Sequence, residues 1–180
     1  MKRDRSIGWL LALSVLCAGC AQPSPQRPSQ RMNGTAQTGA PAADSATLAL
    51  LELNRQLASS ADRQLAQWVN TQDLPYALYE AGTWMAVTDK GDEASATPAH
   101  GQECTVHMRV SDLDGHLLWD SETTSRIGMN ELPPAVDANI GSLHRGAKAR
   151  LIAPWYSAFG LKGNGVVPPY ENVIIDIELK

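Results

Sequence analysis

The chain has 180 residues, a formal net charge of −4, 43% hydrophobic residues and 19% charged ones. That length suits one ordinary domain with appendages rather than two full-sized ones, and the composition argues against wholesale disorder and against a multi-pass membrane protein. An acidic balance without a long Lys/Arg run also argues against a nucleic-acid surface, because neutralising phosphates needs clustered cations.

Lys2, Arg3 and Arg5 precede an apolar run over residues 7–17 that holds Trp9, Leu10, Leu11, Leu13, Val15 and Leu16. This is the layout of a signal peptide. A run of about 11 residues is short of the roughly 20 that a spanning helix needs. It ends in Leu16-Cys17-Ala18-Gly19-Cys20, which resembles the lipobox of bacterial lipoproteins, with Cys17 where Leu is more usual. That resemblance implies cleavage before Cys20 and lipidation of its thiol and new amino group; ordinary secretion with Cys20 free is the alternative. Several acyl chains together give stable anchoring. Ala21 follows Cys20 directly, so the expected location is the bacterial envelope, lipid-anchored to the outer membrane with the domain facing the periplasm. Once Cys20 is lipidated and Cys17 removed, Cys104 is the one thiol left, and no intramolecular disulfide can staple the fold.

Residues 21–43 carry Pro23, Pro25, Pro28 and Pro41 among Gln, Ser, Gly and Ala, the composition of a flexible spacer. From Asp44 onward Leu50, Leu53, Leu57, Ala61, Leu65 and Trp68 recur at spacings of three and four. This predicts a helix over residues 45–72, capped by Asp44 or Ser45. Such a helix either packs on its own domain or serves as an arm for dimerisation or client holding. Beyond Pro75 a strand is expected over 83–88 and a polar loop over 89–101. In residues 102–111, Cys104, Val106, Met108 and Val110 alternate with polar residues, and Asp114-Gly115 turns the chain into Leu117-Leu118-Trp119, a hairpin signal. Pro133 and Pro134 open a further helix whose Val136, Ile140 and Leu143 face one way and which ends near Gly146. Strands over 148–153 and 172–179 close the chain. Strands joined through hairpins, with one short helix inserted late, make an α+β domain with an antiparallel sheet. The segments are thus 1–19 as signal peptide, 20–43 as lipidated Cys and linker, 44–75 as N-terminal helix, and 76–180 as the domain.

Landmarks in the last eighty or so residues occur in a telling order: Gly101-Gln102-Glu103-Cys104-Thr105-Val106-His107, Asp114-Gly115, Trp119-Asp120-Ser121, Gly146, Leu151-Ile152-Ala153-Pro154, Phe159-Gly160, Val166-Val167-Pro168-Pro169 and Asp176-Ile177-Glu178-Leu179. Over residues 100–180 this resembles the FKBP-type peptidyl-prolyl cis-trans isomerases. The preceding helix and the Trp84 strand are similar to those of FKBP-type lipoproteins of the Bacteroidetes, including gliding-associated ones. The resemblance implies a curved antiparallel sheet wrapped around a short helix, with a pocket between them. It also implies isomerisation of proline-containing polypeptide clients with no cofactor and no metal. Carried over position by position, it makes Trp119, Asp120 and Phe159 the catalytic group, Asp120 accepting a hydrogen bond and orienting polar groups in the pocket. Met108, Val136, Val166, Val167 and Ile175 become the substrate-binding wall and floor. Phe159 keeps a ring where a Tyr hydroxyl is usual. Met108, Val136 and Ile175 stand where aromatic residues are usual. These departures favour a second reading, a catalytically weak or inactive chaperone or binding lipoprotein on the same fold.

The chemistry needs no nucleophile. An X-Pro amide resists rotation because resonance must be broken, and the uncatalysed exchange takes roughly tens to hundreds of seconds. Water favours the charge-separated planar amide, so a dry apolar pocket shaped to the twisted bond lowers the relative cost of twisting. Other motifs carry less. Asp112 and Asp114 lack the remaining positions of a cation loop, and His100, His107, His116 and His144 lack paired zinc spacing. Gly160, Gly163 and Gly165 are not followed by Lys-Ser/Thr, and no G-x-S-x-G element marks a serine hydrolase.

Overall fold

The computed structural model describes residues 44–180. Cys20, the signal segment and the linker therefore lie outside the described residues. Helix α1 (Ser45–Val69) starts where Asp44 caps it, the carboxylate accepting the Thr47 N–H at 2.7 Å and so satisfying one of the orphan donors of the first turn. The helix ends three residues earlier than expected, at Val69 with Asn70 as its C-cap, and the apolar stripe is used only in part. Ala61, Leu65 and Val69 are buried, whereas Leu48, Leu50, Leu51 and Leu53 are exposed. Only the C-terminal half has sheet beneath it. Among the described residues no helix is long and apolar enough to cross a membrane.

The strands are β1 (Ala77–Leu78), β2 (Trp84–Asp89), β3 (Glu103–Ser111), β4 (Leu117–Arg126), β5 (Lys148–Ala153) and β6 (Val173–Leu179). They form one antiparallel sheet in the order β1-β2-β5-β6-β3-β4. Strand β4 runs seven residues beyond Trp119, through a polar stretch whose Ser121, Thr123 and Ser125 face inward in alternation with exposed Asp120, Glu122 and Thr124. The two-residue β1 is too short to leave a periodic signal.

Register sets what each face carries, because directly opposed residues point to the same side. One inward row runs Met85, Leu151, Ile175, Val110, Trp119, and the next runs Ala149, Ile177, Met108, Ser121. On the outer face Trp84, Ile152 and Ile174 are aligned, and Leu65 and Val69 of α1 dock on the latter two. Farther along, the outer rows alternate in charge: Arg150, Asp176, Arg109, Asp120 in one, and Lys148, Glu178, His107, Glu122 in the next. Arg150 grips Asp176 with two hydrogen bonds of 2.6 and 2.9 Å, a geometry that a guanidinium fork favours.

The concave face is closed by helix α2 (Pro134–Asp137) and a 3-10 turn at Ile140–Ser142. Val136, Ile140 and Leu143 are buried as the periodicity requires, but the helix is a single turn rather than continuous to Leu143. Asn139 is the cause. Its side-chain amide donates to the Ala135 carbonyl at 2.7 Å, taking the acceptor that its own backbone N–H would use, and that N–H bonds Val136 O instead. A short polar side chain has outcompeted the helical ladder. The same amide also pairs with the Glu80 main chain, so the break anchors the loop before β2.

At the β3–β4 turn Gly115 has φ +88°, a conformation open to glycine at little cost. Asp112 accepts from the Asp114 and His116 backbone N–H groups and pairs with His116 Nδ1 at 2.8 Å. The hydrogen bond to His116 holds the Asp112 carboxyl below its usual range, and the same contact raises the imidazole. A lowered acid contributes above the ordinary carboxylate range and is lost as pH falls. A raised His contributes below its ordinary value and is lost as pH climbs through the folded one. The turn is therefore tightest from about pH 4 to about pH 6.5, and the Gly115 amide should show its largest protection factor in that window; a pH-independent protection factor would contradict the pairing.

Candidate functional site

Between the end of the inward sheet rows and α2 lies a cleft of about 500 Å³. Met108 and Trp119 form its sheet wall, Leu132, Pro133 and Pro134 its helix-side wall, and Ala158 and Phe159 its loop wall. Ser121, Thr123, Glu131 and Asn164 add polar edges. A hollow of about 530 Å³ on α1 is lined by Glu52, Arg55, Gln56, Ser59 and Arg63 and has no apolar wall for a prolyl ring.

Local sequence explains how each wall is held. Trp119 ends the row that starts at Met85, so four buried neighbours in register fix its strand. Its ring meets Phe159 edge to face, centroids 6.2 Å apart at 83°, a contact worth about 0.5–1.5 kcal/mol beyond area burial. Phe159 sits on a tight loop in which Pro154 O accepts the Ser157 and Ala158 N–H groups and Trp155 O accepts the Gly160 N–H at 2.7 Å. The Ala135 N–H donates to Ser157 O at 2.7 Å, tying that loop to the first turn of α2. Asp137 accepts from the Gly128 and Asn130 N–H groups and so pins the segment leading to Leu132. Glu131 is clamped by Arg126, whose backbone N–H and guanidinium hold its carboxyl below the usual range.

Met108, Trp119 and Phe159 are thus brought to one cleft. Val136, Val167 and Ile175 are not on its surface: all three are buried in the core beneath it, where they set its depth. Val166 is 57% exposed. Asp120 departs from the role that the resemblance implied. It follows Trp119 in a regular strand and so points to the outer face, where its carboxylate pairs with His107 Nε2 at 2.7 Å. A side chain on that face cannot orient polar groups inside the cleft. Asp120→Ala should leave kcat/KM in a proline-peptide assay within about twofold of wild type, surface substitutions of this kind being nearly neutral; a tenfold loss would place the carboxylate in the reaction.

Leu132, Pro133, Pro134, Ser121 and Thr123 were missed as wall residues. The parity of Trp119 with Ser121 and Thr123 was the available signal, had the polar stretch been recognised as strand. Neither Pro133 nor Pro134 carries an N–H, and Phe159 has no hydroxyl, so the apolar walls are poor in donors. Asp112, Asp114 and His116 bring potential ligand atoms within 4.8 Å of one another on the exposed turn, but Asp112 already accepts from its turn neighbours.

Residues 94–180 match the family model described as FKBP-type peptidyl-prolyl cis-trans isomerase. Peptidyl-prolyl cis-trans isomerase Fkbp12 of Drosophila melanogaster is 31% identical in an alignment of 93 residues that covers 48% of this chain and 86% of that protein. The FK506-binding protein of Neisseria meningitidis is 29% identical over 86 residues, covering 44% and 78%. Among solved structures, FkpA from Escherichia coli superposes with a TM-score of 0.57 at 17% identity, over 75% of this chain and 63% of FkpA. A peptidyl-prolyl cis-trans isomerase from Pseudomonas syringae pv. tomato gives 0.53 at 20%, over 76% and 96%. The structures establish the fold. The match over strands β3 to β6 and the cleft, with 31% identity to a relative covered over 86% of its length, makes this chain a member of the FKBP-type peptidyl-prolyl cis-trans isomerase family.

Proposed function

We propose that the protein isomerises X-Pro bonds of polypeptide clients in the cleft of Met108, Trp119 and Phe159, as a lipid-anchored folding factor of the bacterial envelope. The observation that carries this reading is that cleft, open, bounded mainly by apolar side chains and braced from three elements. A prolyl ring seated in the cleft against Trp119 and Phe159 leaves its preceding amide beside walls that offer few donors. The planar, charge-separated amide loses hydration there, while the twisted one loses less, so the barrier falls without a covalent step. Each tenfold of acceleration asks for about 1.4 kcal/mol of such differential stabilisation. The test is a protease-coupled assay of proline-peptide exchange with the folded protein; acceleration that scales with enzyme concentration supports the reading, and a rate equal to background removes it.

The envelope part rests on residues 1–20. It expects radiolabelled palmitate to enter the wild type and not Cys20→Ser. A labelled Cys20→Ser protein would contradict the anchor.

Phe159 without a hydroxyl, together with Val136 and Ile175 sunk in the core, favours a second reading: a chaperone that binds prolyl segments with little turnover. It expects suppressed aggregation of an unfolded client at enzyme concentrations that leave proline exchange unaccelerated. Under either reading the exposed Leu50, Leu53 and Leu57 of α1 are the surface for a second copy, and a sedimentation coefficient independent of concentration through the micromolar range would remove that pairing.

A further inference from the structure

We propose that the free edge of β4 holds the client's main chain, extended and hydrogen-bonded to Asp120, Glu122 and Thr124, while the prolyl ring occupies the cleft. This deepens the isomerase reading and rests on it.

Among the described residues strand β4 is outermost and pairs only with β3. The direction of its main-chain groups follows from its end. Ile127 N–H donates toward the neighbouring strand, to Gln102 O at 3.0 Å, so by alternation the Arg126 groups point away from the sheet. There they are occupied. Glu131 Oε2 accepts the Arg126 N–H at 2.9 Å, and Arg126 O accepts the Met129 N–H at 3.3 Å. The same parity sends the N–H and C=O of Thr124, Glu122 and Asp120 outward. Among the described residues no turn, loop or side-chain hydrogen bond reaches them. The edge is closed at one end by the Arg126–Glu131 clamp and open beside the cleft.

A second observation joins that edge to the site. Glu122 is among the residues bounding the cleft, yet its side chain is on the outer face with those of Asp120 and Thr124. What it contributes is main chain. Ser121 and Thr123 bound the cleft with their side chains, so its wall along β4 is the strand edge itself. A polypeptide leaving the cleft in extended form meets unpaired donors and acceptors at strand spacing, the arrangement in which a client adds as a strand.

A second copy of the chain fits this edge poorly. Antiparallel pairing of two β4 strands about their open centre sets Glu122 against Glu122, and like charges directly opposed are destabilising. A client with Lys or Arg opposite Glu122 gains where a copy loses. The substrate class is therefore an extended segment beside proline, with a basic residue near it and no second proline where an N–H must reach β4.

The experiment uses the isotopically labelled full chain and two peptides: a blocked tetrapeptide with one proline, and the same sequence extended on both sides by several residues including lysine. Both should shift the Trp119 indole resonance. Only the longer should slow exchange of the Glu122 and Thr124 amides, and its kcat/KM should exceed that of the tetrapeptide by about tenfold, as expected for two added hydrogen bonds. Glu122→Pro removes an outward N–H that serves no ladder bond, a substitution that edges tolerate, and should lower the ratio of the two kcat/KM values from about ten to about three. N-methylating alternate amides of the longer peptide should do the same in the wild type, whatever the variant's folding. An indole shift with unprotected edge amides overturns the strand addition and leaves the cleft reading standing. No indole shift with either peptide sinks both. Protection that grows with protein concentration in the absence of peptide assigns the edge to a second copy and also overturns the proposal.

Discussion

Trp119→Ala should lower kcat/KM for proline-peptide exchange by about ten- to a hundredfold, corresponding to about 1.4–2.8 kcal/mol of lost transition-state contact. The indole is the largest side chain bounding the cleft and the partner of Phe159 at 6.2 Å. Its removal widens the space between sheet and loop, admits water to the amide and frees the Phe159 ring to turn. Each effect raises the twisted amide more than the planar one, so the loss falls on kcat as well as on KM. Trp119 is partly buried rather than part of the inner core, so the variant should keep a cooperative transition and the wild-type far-ultraviolet spectrum. Trp119→Phe, which preserves an aromatic edge, should retain most of the activity. A folded Trp119→Ala protein with unchanged kcat/KM would move the reaction out of this cleft.

How much of this was legible follows from what each residue had to do. Where side chains alternate against a core, the pattern was readable: β3 announces itself by Cys104, Val106, Met108 and Val110, and Asp114-Gly115 marks its turn. Strand β4 was half read because Asp120–Arg126 is polar on both faces. Its inner Ser121 and Thr123 face a cleft rather than the core, and hydrophobic periodicity cannot signal a strand that lines an open space. The outward placement of Asp120 was hidden by the same gap, since parity within a recognised strand puts it on the face opposite to that of Trp119. The truncated α2 was hidden for another reason: Val136, Ile140 and Leu143 stay buried whether the backbone is helical or turns at Asn139, so burial did not report the break. Val136, Val167 and Ile175 were readable as apolar, but their depth beneath the cleft depends on strand order, which one sequence does not contain.

The helix that precedes the domain supplies the other large effect. Leu65→Ala should cost about 3 kcal/mol of unfolding free energy, the middle of the range for a buried leucine truncated to alanine. Leu65 is 1% exposed, and with Val69 it packs on Ile152 and Ile174, flanked by Trp68, Tyr76, Trp84 and Leu113. Three polar contacts support the docking: Trp68 Nε1–H to Leu113 O at 3.2 Å, Tyr156 O–H to Asp62 at 2.6 Å, and Asn172 to Gln64 at 3.1 Å. None replaces the lost apolar contact, and an isolated helix of 25 residues is held mainly by the face it buries. The helical signal should therefore melt at lower urea than the sheet, splitting a transition that is single in the wild type. Leu53→Ala, half exposed on the same stripe, should change stability by less than about 0.5 kcal/mol at protein concentrations too low for two copies to pair. The contrast between the two variants reads the state of the whole helix. Equal losses at a protein concentration where Leu53 ought to be bare would mean that its half of the stripe is covered, and a cost at Leu53 that grows with protein concentration would identify the cover as a second chain.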